Sequence, residues 1–314
     1  MEHTRRLSAT SKASLAWIGA LTLLATGPVE ASSPPVDPSI VVEGQRQTPE
    51  EIRRAAREFV RKSGIAQGQI PAARWRNPVC AKIVGLHGKP AELVRAKFEA
   101  EAKAAGVPLA RPGCTGNLAI VFTDDGAAVA RAIGRKDPRR TADVPMPTLR
   151  AIYQGDAPVR WWYAVGESST SGVSAGTAEL PWTGGNAEGG GSAIPSNGNN
   201  TLLRHNGSSL VSTLVERGIT QATVIVDVNA ATGKTLDAVA AYVAMVALAE
   251  VRPRSDRSPL SILSLFEPES SVADLSERDR DLLHTLYRLP LDRTALNQRS
   301  RLSRGVAAAE LADD

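Results

Sequence analysis

Between Ala238 and Ala249 the chain reads AVAAYVAMVALA, without a histidine, a carboxylate or a cysteine. The run holds neither glycine nor proline and is rich in good helix formers, so it reads as a helix. It is too short to cross a bilayer, which takes roughly 20 apolar residues, and its length and polarity fit a helix buried in a protein core. A fold that contains it must supply neighbours to enclose it. The nearest candidates are a strand at Ala222-Thr-Val-Ile-Val-Asp-Val228, read from its β-branched content, and a helix that Ser276 caps with Asp279 three residues on. That second helix carries Leu282, Leu283, Leu286 and Tyr287 on one face. The enclosed helix is expected over about residues 236–251.

Upstream, strands and helices alternate. Thr48, Pro49 and Glu51 form a capping box with proline in the first turn. Ile52, Ala56, Phe59 and Val60 then make the stripe of an amphipathic helix that Gly64 ends. A strand follows at 80–86. Pro90 opens a helix with Leu93, Val94, Phe98, Ala102 and Ala105 inward, closed by Gly106. A strand at Asn117–Phe122 leads to a short helix, capped by Asp124 or Asp125, that carries Val129 and Ile133. Pro158 to Val165 reads as another strand. This order predicts an α/β (or α+β) fold, a mixed sheet with backing helices preceded by the amphipathic helix. Residues 166–200 are dominated by Gly, Ser and Asn and are expected to form a long mobile loop. The expected division is a signal peptide at 1–31, a flexible arm at 32–47, helix and linker at 48–74, the α/β domain at 75–290 and a tail at 291–314.

Arg5, Arg6 and Lys12, the apolar stretch Ala13 to Thr26, and Val29-Glu30-Ala31 make a cleavable export signal, with cleavage expected after Ala31. The expected location is periplasmic or secreted, and about 280 residues remain, enough for one substantial domain. Cys80 and Cys114 are the two cysteines of the chain, an even pair in an exported protein, which favours a disulfide. Each flanks a strand of the same strand-helix-strand unit, so parallel pairing brings them to one end. Closing that loop is worth about 3–4 kcal/mol in the chain-entropy model.

The formal net charge is +4 with acids and bases interspersed, and aromatics are 4% of residues; no nucleic-acid footprint is present. Arg53, Arg54, Arg57 and Arg61 fall on one predicted helix with Glu50, Glu51 and Glu58 among them, which reads as a solvated face. Gly172-Val-Ser174-Ala-Gly176 matches the nucleophile elbow of serine hydrolases, but a Gly/Ser-rich stretch stands where a buried strand and a helix are required. Gly233-Lys234-Thr235 sits between strand and helix like a phosphate loop. Val228, however, occupies the place of its first glycine, so a turn and helix start is the better reading. His205 and His284 have no partner at metal-ligand spacing, so no metal or cofactor is expected, and nothing marks His87, the histidine nearest to Cys80, as the base of a catalytic thiol. Trp161, Trp162, Tyr163 and Trp182 form the main aromatic cluster, either packing or a ligand platform. On a regular strand Trp161 and Trp162 point to opposite faces.

The order Val224–Val228, the helix at 236–251, Ser261-Ile262-Leu263-Ser264, then Leu275-Ser-Glu-Arg-Asp279 leading to Leu286-Tyr287 resembles the strand, zinc helix, Met-turn and C-terminal helix of metzincin proteases. The resemblance covers about 65 residues and implies a zincin-like domain. Aligned on it, Tyr242 and Val246 stand where the paired histidines belong, Val243 at the general-base glutamate and Arg252 at the third ligand. None of these is an effective zinc ligand or base. The whole chain also resembles a group of exported proteins of Gram-negative bacteria. They share the Asn77-Pro-Val-Cys80 start, the Gly-Val-Pro-Leu-Ala to Pro-Gly-Cys114 segment and this C-terminal end, a likeness that brings no activity with it. The implied function is an exported, non-catalytic, protease-like binding protein of the envelope whose partner is a protein, peptide or glycan. The alternative is a secreted hydrolase with Ser174 as nucleophile.

Overall fold

A computed structural model describes residues 47–142, 144–169, 212–213, 215–254 and 256–313. In chain order the elements are α1 (Pro49–Ser63), β1 (Arg74–Trp75), β2 (Ala81–Val84), α2 (Gly88–Ala105), β3 (Leu118–Thr123), α3 (Gly126–Lys136), α4 (Met146–Gln154), β4 (Val159–Ser169), β5 (Val215–Asp227), α5 (Leu236–Leu248), α6 (Glu277–Arg288) and α7 (Ala295–Asp313). Short 3-10 turns lie at Pro138–Thr141 and Ile262–Ser264.

The sheet is mixed and mostly parallel. β2 pairs with β3, and β3 with β5 from Leu118↔Ala222 to Thr123↔Asp227, both in parallel. β4 runs antiparallel along the other edge of β5, from Val159↔Val226 to Ser169↔Val215. β1 adds two residues in parallel at Gly218 and Ile219, on the edge that β3 takes over from Ala222 onward. Alternation of side chains along β5 separates two cores. Ala222, Val224 and Val226 face a large cluster with α1, α2, α5, α6 and α7, whereas Ile225 packs with Ala130 of α3, Ile152 of α4 and Trp162. The fold is therefore α/β, with helices on both faces of the sheet.

Local chemistry explains most boundaries. Thr48 and Glu51 make a reciprocal capping box at the start of α1, and Gly64, at φ +84°, ends it. A Cβ on Gly64 would also lie 2.6 Å from the Arg252 carbonyl oxygen. Asp125 caps α3 through the amide of Ala128, and Ser276 and Asp279 box the start of α6. Cys80 and Cys114 are joined, with Cα atoms 6.1 Å apart, at the end of the sheet where β2 and β3 begin.

The structure departs from the sequence reading in several places. The expected tail is α7, which buries Leu302, Val306 and Ala307 and packs against α1 and α6. Its fully enclosed Gln298 accepts the Ala72 amide at 2.7 Å and donates to the Leu291 carbonyl at 3.0 Å. α1 packs against α7 and shares the main core with the sheet. β4 continues past Gly166 to Ser169 because pairing with β5 satisfies its backbone whatever its side chains are. α5 ends at Leu248; β1, of two residues, is too short to carry a period, and α4, with prolines at its start and no side-chain cap, is absent from the sequence reading.

Candidate functional site

α5 is buried at every position from Ala238 to Leu248. Tyr242, at the place of a zinc ligand in the metzincin alignment, is 6% exposed and its ring meets Trp161 edge-on at 6.0 Å and Phe266 at 5.2 Å. Val243 and Val246 are fully enclosed. Burial pushes the Tyr242 phenol up to about 12. Arg252 turns to Glu250 at 3.4 Å, and Glu250 in turn holds Arg217 through two hydrogen bonds of 2.7 and 3.0 Å. The helix face that the metzincin resemblance would align with a metal site is a filled core.

The aromatic residues serve the end of the same helix. A buried helix leaves four carbonyls without partners at its C-terminus, and α5 has no glycine there to turn the chain back on them. The Tyr163 hydroxyl donates to the Val246 carbonyl at 2.6 Å, Trp75 Nε1 to Ala247 at 2.7 Å and the Tyr287 hydroxyl to Leu248 at 2.7 Å. Trp161 Nε1 donates to the Val251 carbonyl at 2.7 Å, and the Val251 amide donates back to the Tyr163 hydroxyl at 3.1 Å. Trp161 and Trp162 are buried on opposite faces of the sheet, and both rings serve packing.

In an open α/β sheet a ligand crevice forms at the carboxyl ends of neighbouring strands whose following helices leave to opposite faces. β3 and β5 are such a pair, with α3 and α5 on opposite faces. Their crevice is closed from within. Asp227 accepts the amides of Gly126 at 2.9 Å and Ala230 at 3.1 Å, and Arg160, 4% exposed, lies 3.7 Å from it while donating to the Ala157 and Gly155 carbonyls. Beyond that crevice Thr235 caps α5 through the amide of Ala238 at 3.2 Å, and Gly233 holds the left-handed turn before it, so Gly233-Lys234-Thr235 is a helix start.

The remaining sequence candidates are dispersed. Ser174, Trp182 and His205 lie outside the described residues. His87 precedes α2 without a side-chain cap bond, and His284 is half-buried on α6 beside a small cavity with Glu101 and Arg280. Among the described residues no three His, Cys, Asp or Glu side chains gather where a metal could be held. No helix among them is long and apolar enough to cross a membrane.

A larger open concavity lies elsewhere, a groove of about 710 Å³ between α1 and α7. Arg53, Arg57, Arg61, Arg299 and Arg304 line it together with Val60, Ala307, Ala308 and Leu311, with no carboxylate among the lining residues. Two of the interleaved acids of α1 are held locally, one of them by an arginine of the groove itself. Glu51 closes the cap with Thr48, and Glu58 holds Arg61 at 2.6 Å and Lys62 at 3.5 Å, which brings the Glu58 carboxyl down to about 2. Arg61 also reaches Asp256 at 3.1 Å. Arg299 is committed to the carbonyls of Ala66 and Gly68. Arg53 and Arg57 have no hydrogen-bonding or ion-pair partner among the described residues. The expected solvated face is thus one wall of a cationic groove. The sequence signal was the i, i+4 spacing of Arg53, Arg57 and Arg61; its facing wall was hidden because α7 reads as a tail. No protein family, curated protein or solved structure matches this chain.

Proposed function

We propose that the protein is an exported, non-catalytic binding protein of the cell envelope, zincin-like in arrangement, whose recognition surface is the groove between α1 and α7. The order of elements supports the first part. An antiparallel edge strand lies along β5, β5 leads into the enclosed α5, a turn at Ile262–Ser264 packs on α5, and α6 follows with its Ser276 cap. Tyr242, Val243 and Val246 are buried where that arrangement would place metal chemistry, and the bond between Cys80 and Cys114 suits an oxidising compartment.

The observation that carries the binding reading is a groove lined by five arginines and no carboxylate, in which Arg53 and Arg57 have no partner among the described residues. Guanidinium groups without partners offer forked donors to carboxylates and other oxyanions. The test is fluorescence anisotropy with a labelled polyglutamate oligomer. Salt-sensitive binding by the purified protein, lost in the Arg53→Glu/Arg57→Glu double variant with no change in melting temperature, is the expected result. Equal binding by the double variant, or none by either protein, overturns the reading.

A further inference from the structure

We infer that the groove receives an acidic amphipathic helix of a partner protein, an inference that rests on the groove being the recognition surface proposed above. Its walls are two long helices. The lining positions recur at helical spacing, Arg53, Arg57 and Arg61 on one side and Ser300, Arg304 and Ala308 on the other. α7 has 19 residues and so runs for about 28 Å, enough to lie beside several turns of a third helix.

The two chemistries of the lining are arranged for a rod with two kinds of face. Along the floor, Ser303 and Ala307 are small, buried and allow close approach, while Val60 and Leu311 supply apolar contact. Leu296 lies 71% exposed at the end near Arg299 and Arg61, an apolar anchor without a cover. Above the floor stand Arg53 and Arg57, without partners among the described residues, and across from them Arg304, bonded only to the Ser300 carbonyl of its own helix at 3.3 Å. An incoming helix with leucines at i, i+3, i+4 and i+7 and glutamates flanking that stripe would set its apolar side on the floor. Its carboxylates would then meet these three guanidinium groups. A lipid surface matches this shape less well. A flat headgroup layer reaches the arginines on the lips but leaves the recessed floor of Ala307 and Val60 uncovered.

The experiment uses the purified full chain and four probes: an 18-residue Leu/Glu peptide with that amphipathic pattern, the same composition scrambled, polyglutamate, and phosphatidylglycerol vesicles. The expected result is micromolar binding of the patterned peptide, about tenfold tighter than the scrambled one, with helicity gained on binding. Arg53→Glu/Arg57→Glu should weaken it about tenfold and Leu296→Ser about threefold, while Arg54→Glu, whose side chain does not line the groove, leaves it unchanged. Patterned and scrambled peptides binding alike, or polyglutamate binding as tightly, would overturn the helical partner and leave the cationic groove standing. Vesicle binding without peptide binding would replace the partner with a lipid surface. Failure of every probe to bind would overturn both this inference and the reading beneath it.

Discussion

The Ser261 hydroxyl donates to Asp279 Oδ1 at 2.6 Å, joining the turn after α5 to the first turn of α6. Oδ2 of the same carboxylate accepts the amides of Ile262 at 2.8 Å and Ser276 at 3.0 Å, and Asp279 is fully enclosed. Replacing Asp279 with alanine strands two backbone N–H groups and is expected to cost about 3 kcal/mol, against about 1 kcal/mol for Asp279→Asn, as read by urea unfolding. Burial pushes the Asp279 carboxyl up from its ordinary range. A carboxyl raised in the folded state contributes stability that is fully present below its unfolded value, near pH 4, and is lost as pH rises through the folded value. The advantage of the wild type over Asp279→Asn should therefore shrink as pH rises above about 4. An advantage that grows over that range would contradict the assignment.

Tyr163→Phe leaves the Val246 carbonyl and the Val251 amide without their shared hydroxyl and should cost about 2 kcal/mol. Burial raises the phenols of Tyr163, Tyr242 and Tyr287, that of Tyr242 to about 12. Their contribution is complete below the unfolded value near pH 10 and disappears as pH climbs through the folded values. Alkaline titration followed at 295 nm should show these three tyrosines ionising together with the loss of circular dichroism. Ionisation of all three in a chain that keeps its fold would refute the enclosure.

Placing imidazoles at the zinc-helix positions tests how that face is filled. Tyr242→His/Val246→His puts polar rings into a core where Val246 is fully enclosed, so the variant should melt far lower and bind no zinc at stoichiometric protein. One zinc per chain, with a raised melting temperature, would mean that the face opens to solvent.

Removing the disulfide by Cys80→Ala/Cys114→Ala frees a chain segment of sequence separation 34. The loss should be about 3–4 kcal/mol by urea unfolding. β2 and β3 should stay paired, because their parallel register runs over four residue pairs from Ala81↔Leu118 to Val84↔Val121. A change below about 1 kcal/mol would show that the bridge constrains little.

Features set by neighbours in sequence were readable before the structure. Thr48 with Glu51, Ser276 with Asp279, Gly64 and Gly106 mark helix ends through contacts three to five residues long, and the apolar run in α5 can only be buried. Features set by distant partners were hidden. β1 is two residues that exist as a strand because Gly218 and Ile219 lie beside them, and α7 buries small and polar residues such as Ala295, Gln298 and Ser303, whose pattern carries a weak apolar period. The groove shared both difficulties. One wall was visible as arginines on a helix, but the acids that would have screened them turn away only because Thr48 and Arg61 hold them.

The aromatic closure of α5 bears on how the chain can be assembled. Trp75, Trp161 and Tyr163 precede that helix, whereas Tyr287 follows it, and the bond from Trp75 to Ala247 spans 172 positions. A chain made or threaded from its N-terminus holds α5 with an open end until α6 has emerged. Fragments that stop short of Tyr287 keep a buried carbonyl without its donor, and they also lack the Asp279 tie to Ser261 when they stop before α6. The contacts that complete the end of α5 therefore form late, when nearly the whole polypeptide is present.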